Sequence, residues 1–183
     1  MRRSQARRLV SACLMLLSLA VAWQAWVYPA PPPVAPSGDT LPVVEVYDGD
    51  TIAVTLNGQK EKIRLIGVDT PESKDPRKPV QCFGREASEW TKHTLENRTV
   101  RIETDPSQGE RDKYGRMLAF VWRDDGLFVN QALIEEGYAH EYTYASVPYK
   151  YQEAFQMAEH DADVGERGLW SPSSCSGDTK KAA

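Results

Sequence analysis

The stretch TIAVTLNGQKEKIRLIGV, residues 51–68, constrains the fold more than any other part of the chain. Ile52, Val54 and Leu56 alternate with smaller or polar residues, which is typical of a half-buried β-strand. The Asn-Gly pair at 57–58 favours a two-residue hairpin turn, and a return strand is expected at 60–68. We therefore expect the folded part of the chain to be built on an antiparallel hairpin.

Three further strands and three helices are predicted around this hairpin. A preceding strand is expected from residue 43 to a break at Asp48-Gly49, and following strands at 99–105 and 116–124. Helices are expected at 84–98, from 129 to a stop at Gly137, and at 151–168. The order β-β-β-α-β-β-α-α fits an α+β fold that is mainly a β-barrel, with five strands closed in the OB-fold manner and three helices packed on it. OB-fold barrels commonly bind oligonucleotides on one face. In the first helix, the predicted core-facing stripe is Ala87, Trp90, Thr94 and Leu95.

The first 28 residues read as a targeting segment. Four arginines precede the uncharged run at 9–19, and small residues follow at 20–22, which is the layout of a secretory signal peptide. The apolar character continues to Tyr28, so an uncleaved membrane anchor formed by residues 9–28 is the alternative. With either interpretation we expect the remainder of the chain to be exported, as a secreted, periplasmic or cell-surface protein.

Composition divides the rest of the chain into three parts. Residues 29–40 are rich in proline and predict a linker, because such a segment cannot build a core. Residues 41–172 hold all the predicted strands and helices and form one domain of ordinary size. Residues 173–183 are polar and predict a flexible tail. We expect the protein to be a monomer.

Two cysteines lie outside the targeting segment, Cys82 and Cys175. An exported chain meets an oxidising compartment, which permits a disulfide that ties the tail to the body of the domain. Two free thiols are the alternative. The net charge of −4 excludes a chain that is basic as a whole, so an anionic substrate would need a local positive patch or a bound cation.

Three charged clusters occur at predicted element boundaries: Asp48-Gly49-Asp50-Thr51, Asp69-Thr70-Pro71-Glu72, and Asp112-Lys113-Tyr114-Gly115-Arg116. Each alone is also typical of an ordinary turn or loop. Together they suggest one site, because neighbouring carboxylates would repel each other unless a cation lay between them. Oxygen ligands alone favour a hard ion, calcium or magnesium. Two arginines, Arg64 and Arg116, supply the guanidinium groups that bind phosphate bidentately.

This combination of groups is suited to phosphodiester hydrolysis. A cation and two arginines would stabilise the negative charge that develops at phosphorus. Glu72 would orient or deprotonate the attacking water.

The motifs DGDT, IRLIGVDTPE, FGREAS, DKYGRMLAFVW and VNQAL occur in this order, and their spacing resembles that of the staphylococcal nuclease family. The resemblance covers residues 43–170. It implies an OB-fold barrel and calcium-dependent hydrolysis of DNA and RNA that leaves a 3′-phosphate on the product.

The resemblance also implies roles for individual residues. Asp50 and Asp69 resemble the calcium carboxylates, with the Thr70 main-chain carbonyl as a further ligand. The catalytic positions of the family match Arg64, Glu72 and Arg116, and its nucleotide-contacting positions match Lys113 and Tyr114. A second family aromatic, which packs on the nucleotide base, falls in HEYTYASVPYKY, where Tyr142 and Tyr144 compete for the role.

Two alternatives stay open at this point. The basic residues Lys74, Arg77 and Lys78 either support phosphate binding or simply form a solvated loop. The whole domain could also be a non-catalytic OB-fold module that binds nucleic acid or a protein. A degenerate module has no reason to keep both aspartates, both arginines and the glutamate, which favours the nuclease.

Overall fold

The computed structural model describes residues 33–74 and 79–180. The compact unit that contains them spans Val34–Ala183. The predicted signal or anchor at 1–28, the first part of the linker, and Arg77 and Lys78 lie outside the described residues. No helix within the described part of the chain combines the length and apolar character needed to cross a bilayer.

Seven strands occur within residues 33–74 and 79–180. They are β1 (Leu41–Val46), β2 (Thr51–Leu56), β3 (Gln59–Leu65), β4 (Val68–Asp69), β5 (Thr99–Glu103), β6 (Met117–Arg123) and β7 (His140–Glu141). Five of them close a barrel in the order β1-β2-β3-β6-β5. The β3–β6 pair is parallel and the other pairs are antiparallel. With three helices beside it, this barrel confirms the predicted α+β, OB-type fold.

The β2–β3 hairpin forms as predicted. Leu56 faces Gln59 across the turn, and the two central residues, Asn57 and Gly58, have φ values of 51° and 75°. Positive φ at both positions gives the turn a twist that matches the flanking strands. In the same register Ile52 faces Ile63, and both are fully buried in the barrel.

The return strand is shorter than predicted. Instead of running to Val68, β3 ends at Leu65, and the chain turns at Gly67, where φ is +75°. A Cβ at Gly67 would lie 2.7 Å from the Tyr149 ring, so a side chain has no room at this turn. The separate strand β4 then pairs with β7, which places Asp69 opposite His140. This two-stranded ladder was not predicted from the sequence.

The helices are α1 (Gly84–Leu95), α2 (Val129–Glu135) and α3 (Gln152–Val164). Helix α2 is tied to the barrel by the buried side chain of Asn130. Its Oδ1 accepts a hydrogen bond from the Val121 N–H (2.8 Å), and its Nδ2 donates to the Ile66 carbonyl (2.9 Å). The largest core side chains pack between the barrel and helices α2 and α3, with Trp122 stacked on Phe128 at 4.0 Å between ring centroids.

The stripe predicted for α1 is partly wrong. Ala87 and Leu95 are fully buried, but Trp90 and Thr94 are only half-buried. Trp90 still packs against the core, and the buried face also includes Thr91, which the predicted stripe omitted. The Thr91 hydroxyl donates a hydrogen bond to the Gly49 carbonyl (2.7 Å) in the turn between β1 and β2.

The C-terminal segment is joined to the start of α1. Cys82 and Cys175 are disulfide-bonded, with 5.8 Å between their Cα atoms and 93 positions between them in the chain. Beyond α3, residues 168–178 form successive turns that include hydrogen bonds from the Gly177 N–H to the Leu169 carbonyl and from the Asp178 N–H to the Cys175 carbonyl. The segment predicted to be a flexible tail thus begins in these turns.

Candidate active site

A pocket of about 450 Å³ opens beside the β3–β6 pair. Its walls come from the end of β3, the loop between β5 and β6, and the segment after β7. Seven predicted site residues line it: Arg64, Asp69, Lys113, Tyr114, Arg116, Tyr142 and Tyr144. The predicted residues Asp50, Thr70 and Glu72 do not line this pocket. Asp50 contacts Arg64 of the lining and also Thr70. Glu72 instead forms hydrogen bonds with Gln81 and Lys74.

The parallel pairing of β3 with β6 brings the two predicted catalytic arginines to one wall. Ile63 faces Met117 and Arg64 faces Leu118 in this register. Arg116 comes directly before Met117, so its backbone lies next to Lys62, two residues before Arg64 on β3. Side chains two positions apart on a strand point to the same face, and both Arg64 and Arg116 line the pocket. Both side chains are mostly withdrawn from solvent, with 14% and 24% of their surfaces exposed. Charge–charge interactions in such a partly desolvated site are stronger than on an open surface.

Asp50 lies at the base of the site and is held from several sides. Its Oδ1 accepts a hydrogen bond from the Thr51 hydroxyl (3.0 Å), and its Oδ2 accepts from both the Thr70 N–H and the Thr70 hydroxyl (3.2 Å each). Arg64 Nη1 lies 3.0 Å from the same Oδ2. A Cβ at Gly49 would lie 2.6 Å from the Thr70 side chain, so glycine permits this close approach.

Asp69 lies on the rim, with 58% of its side chain exposed and 3.5 Å between its Oδ1 and Arg64 Nη2. Desolvation by surrounding protein atoms raises the pKa of Asp69; Arg64 opposes this rise, and Asp50 adds to it. Burial, with the negative charge of Asp50, raises the pKa of Asp48 to about 7.

These acids fit a hard cation. Asp48, Asp50 and Asp69 offer only oxygen atoms as ligands. Two of these carboxylates, those of Asp50 and Asp69, also contact the guanidinium group of Arg64. Among the described residues, no three His, Cys, Asp or Glu side chains are grouped closely enough to form a metal centre by themselves. A cation here would therefore need main-chain carbonyl and water oxygens as well, which calcium accepts readily.

Arg116 is held by the turn that precedes β6. Its Nε donates to Asp112 Oδ2 (2.6 Å), and its Nη1 donates to the Thr51 hydroxyl (3.1 Å). Asp112 also accepts hydrogen bonds from the N–H groups of Tyr114 and Arg116. Burial alone would raise the pKa of Asp112, but Arg116 and these N–H groups outweigh burial and lower it. A charged carboxylate thus organises the turn.

The predicted nucleotide-contacting residues lie around the mouth of the pocket. Tyr114 is largely exposed, with Lys113 Nζ 5.1 Å from its ring centroid. Tyr142 and Tyr144 both line the opposite side, and 6.4 Å separates their ring centroids. The Tyr142 N–H donates to the Gly67 carbonyl (3.1 Å), next to the β4–β7 ladder. Both tyrosines are exposed, so each is accessible to a base.

Glu72 lies where the chain leaves the ladder for the following loop. Its main-chain N–H donates to Gln81 Oε1 (2.6 Å), and its carbonyl accepts from the Gln81 N–H (2.9 Å). The Lys74 N–H donates to Glu72 Oε1 (2.8 Å). A Cβ at Gly84 would lie 2.7 Å from the Glu72 carbonyl, so the start of α1 packs closely on this backbone.

Comparison with known proteins identifies the family. Residues 62–172 match the family described as staphylococcal nuclease homologue. The chain belongs to the staphylococcal nuclease family. It is 45% identical over 132 residues to a thermonuclease of Staphylococcus hyicus, an alignment that covers 72% of this chain and 76% of that protein. It is 43% identical over 133 residues to a thermonuclease of Staphylococcus intermedius, with 73% and 77% covered. Endonuclease YncB of Bacillus subtilis is 39% identical over 126 residues, with 69% and 59% covered.

The site of this staphylococcal nuclease family member also contains three residues for which no role was predicted from the sequence. Thr51 connects Asp50 to Arg116 through its hydroxyl. Arg111 and Gln108 line the pocket. Thr51 is the last residue of the DGDT motif, so its closeness to Asp50 in the sequence could have indicated that it belongs to the site. Nothing local to Arg111 or Gln108 indicates their contacts, which reach residues about 40 to 50 positions away.

Proposed function

We propose that this chain is a calcium-dependent endonuclease that hydrolyses DNA and RNA and leaves 3′-phosphates. Its family and its thermonuclease relatives support a nuclease hydrolase of the thermonuclease type. The observation that carries the finer proposal is that Arg64 and Arg116 line one pocket, and that Arg64 contacts the carboxylates of Asp50 and Asp69.

In this proposal the two arginines bind the scissile phosphate. Guanidinium groups keep their charge and match phosphate oxygens in a bidentate geometry. As water attacks phosphorus and the 5′-oxygen of the next nucleotide departs, negative charge builds on the phosphate oxygens. Arg64 and Arg116 are fixed before the reaction by hydrogen bonds to Val68 and Asp112, so they need little reorganisation to stabilise that charge.

Asp50, Asp69 and the carbonyl of Thr70 are the residues that would hold calcium. Bound there, the ion would supply positive charge beside the phosphate without taking part in proton transfer. Asp50 is presented to that position by hydrogen bonds from Thr51 and Thr70. These contacts keep the carboxylate in one orientation.

Glu72 is proposed to take the proton from the attacking water. The hydrogen bond from the Lys74 N–H to Oε1 orients its carboxylate. Lys113 and Tyr114 would bind the terminal phosphate of the substrate, and Tyr142 or Tyr144 would pack on a base. Lys74, with Arg77 and Lys78, would add positive charge near the site and assist binding of the polyanion.

We further propose that the protein is exported and acts as a monomer. The targeting pattern of residues 1–28 supports export, either with the segment cleaved or with residues 9–28 retained as a membrane anchor.

Digestion with and without calcium tests the central proposal. Purified protein should degrade single- and double-stranded DNA and RNA when millimolar calcium is added, and should stop when a chelator removes it. End analysis should find 3′-phosphates. Absence of cleavage across millimolar calcium and mildly alkaline pH would contradict the proposal. Binding of oligonucleotides without cleavage would favour the non-catalytic OB-fold module instead.

A further inference from the structure

Arg111 lines the pocket but has no part in the chemistry proposed above. Its two terminal nitrogens reach the two carboxylate oxygens of Glu61, at 2.7 and 3.0 Å. Arg111 Nη1 also donates to the Gly115 carbonyl (2.7 Å). One side chain thus joins strand β3 to the turn between Asp112 and Arg116.

The two ends of this connection carry the two halves of the proposed phosphate site. Glu61 lies on β3, three positions before Arg64. Gly115 lies between Tyr114 and Arg116, in a turn where φ of the glycine is +80°. Arg111 therefore fastens the turn to the strand that carries the other catalytic arginine.

We propose that Arg111 is a positioning residue: paired with Glu61, it sets the distance between Arg64 and the group of Lys113, Tyr114 and Arg116. This inference rests on the proposed nuclease function. A partly exposed ion pair adds little to stability, and Arg111 is 46% exposed. Its effect on rate is larger, because a small displacement of a catalytic group is costly to the reaction.

Three variants separate positioning from direct substrate binding. Glu61→Gln and Arg111→Gln should each lower kcat about tenfold while KM changes less than about twofold. The double variant should be no slower than the singles, because one connection is lost in all three. The matched control is Arg98→Gln. It removes the partly exposed ion pair between Arg98 and Asp124, and neither residue lines the pocket. It should leave both constants unchanged.

Two outcomes of the kinetics would overturn the inference. If Arg111 binds substrate phosphate itself, Arg111→Gln raises KM, whereas Glu61→Gln, which keeps the arginine charge, does not. If the pair is only a surface ion pair, all the variants behave like the wild type.

A second measurement does not depend on nuclease activity. The N–H groups of Tyr114 and Arg116 donate to Asp112 Oδ1 within the turn. In Glu61→Gln and Arg111→Gln these amides should exchange with solvent deuterium about tenfold faster, while exchange in α3 stays unchanged. Unchanged exchange in the turn would overturn the inference. A wild-type protein without nuclease activity would contradict the proposed function, and the exchange data would still decide whether the connection holds the turn.

Discussion

Arg116 contacts both the turn that carries it and the base of the site. The hydrogen bonds to Asp112 and Thr51 place its guanidinium between the acidic group and the pocket. Arg116→Ala should lower kcat/KM about 10² to 10³-fold, because it removes charge stabilisation at the transition state. Steady-state kinetics at saturating calcium measure this.

Thermal unfolding of the same variant should show that the fold is intact. Arg116→Lys is the matched variant, since it keeps the positive charge and loses the guanidinium fork, and its rate should lie between those of the wild type and Arg116→Ala. Near-normal turnover by Arg116→Ala would show that the catalytic assignment is wrong.

Site residues could be predicted where their neighbours in sequence are also their neighbours in space. Arg64 and Asp69 are an example, because the strand, turn and ladder that place them in the pocket lining are consecutive, whereas Glu72, three residues further on, does not line the pocket. Arg111 was missed because Glu61, its partner, lies 50 positions earlier. The choice between Tyr142 and Tyr144 could not be made from the sequence, since both side chains reach the pocket from one short segment.

Helix α2 is attached to the barrel by a buried polar side chain in addition to its apolar packing. Asn130 satisfies the Val121 N–H and the Ile66 carbonyl, and its side chain is fully buried. Asn130→Ala would leave both backbone groups without this partner, so we expect the free energy of unfolding to fall by about 3 kcal/mol. Urea denaturation measures the change. Glu135→Ala, on the exposed side of the same helix, should change stability by less than about 0.5 kcal/mol.

A loss below about 1 kcal/mol for Asn130→Ala would contradict this view of the attachment. The nuclease activity of Asn130→Ala should be measured as well. Ile66, whose carbonyl accepts the Asn130 hydrogen bond, lines the pocket directly after the strand that carries Arg64.

Barrel strands and helices were predictable because apolar periodicity is a local property. The β4–β7 ladder was not, since two residues per strand show no periodicity. Its strands are held by tertiary contacts: the Glu141 N–H donates to Glu159 of α3, and the Tyr149 hydroxyl donates to Glu141. The predicted extension of β3 to Val68 failed for the same reason, because the turn at Gly67 is set by packing against Tyr149 and Phe155.

At the scale of the whole molecule, the pocket is lined both by barrel strands and by the loop between β5 and β6. The net charge is −4, yet the pocket is lined by four basic side chains, those of Arg64, Arg111, Lys113 and Arg116. Attraction of a polyanion is therefore concentrated at the site rather than spread over the surface.

The disulfide is the longest-range covalent restraint in the domain. It closes a segment of 93 positions between Cys82, next to α1, and the buried Cys175. Closing so long a segment restricts the unfolded chain, so the variant Cys82→Ala/Cys175→Ala should lose about 3 to 4 kcal/mol of unfolding free energy relative to the oxidised protein. Denaturation of both proteins measures this, and under a strong reductant their stabilities should nearly converge. Because Arg64 and Arg116 are held by contacts to Val68, Asp112 and Thr51, none of which involves the disulfide, kcat of the folded variant should change by less than about twofold. Equal stability of the two proteins under oxidising conditions would show that the bridge does not stabilise the fold.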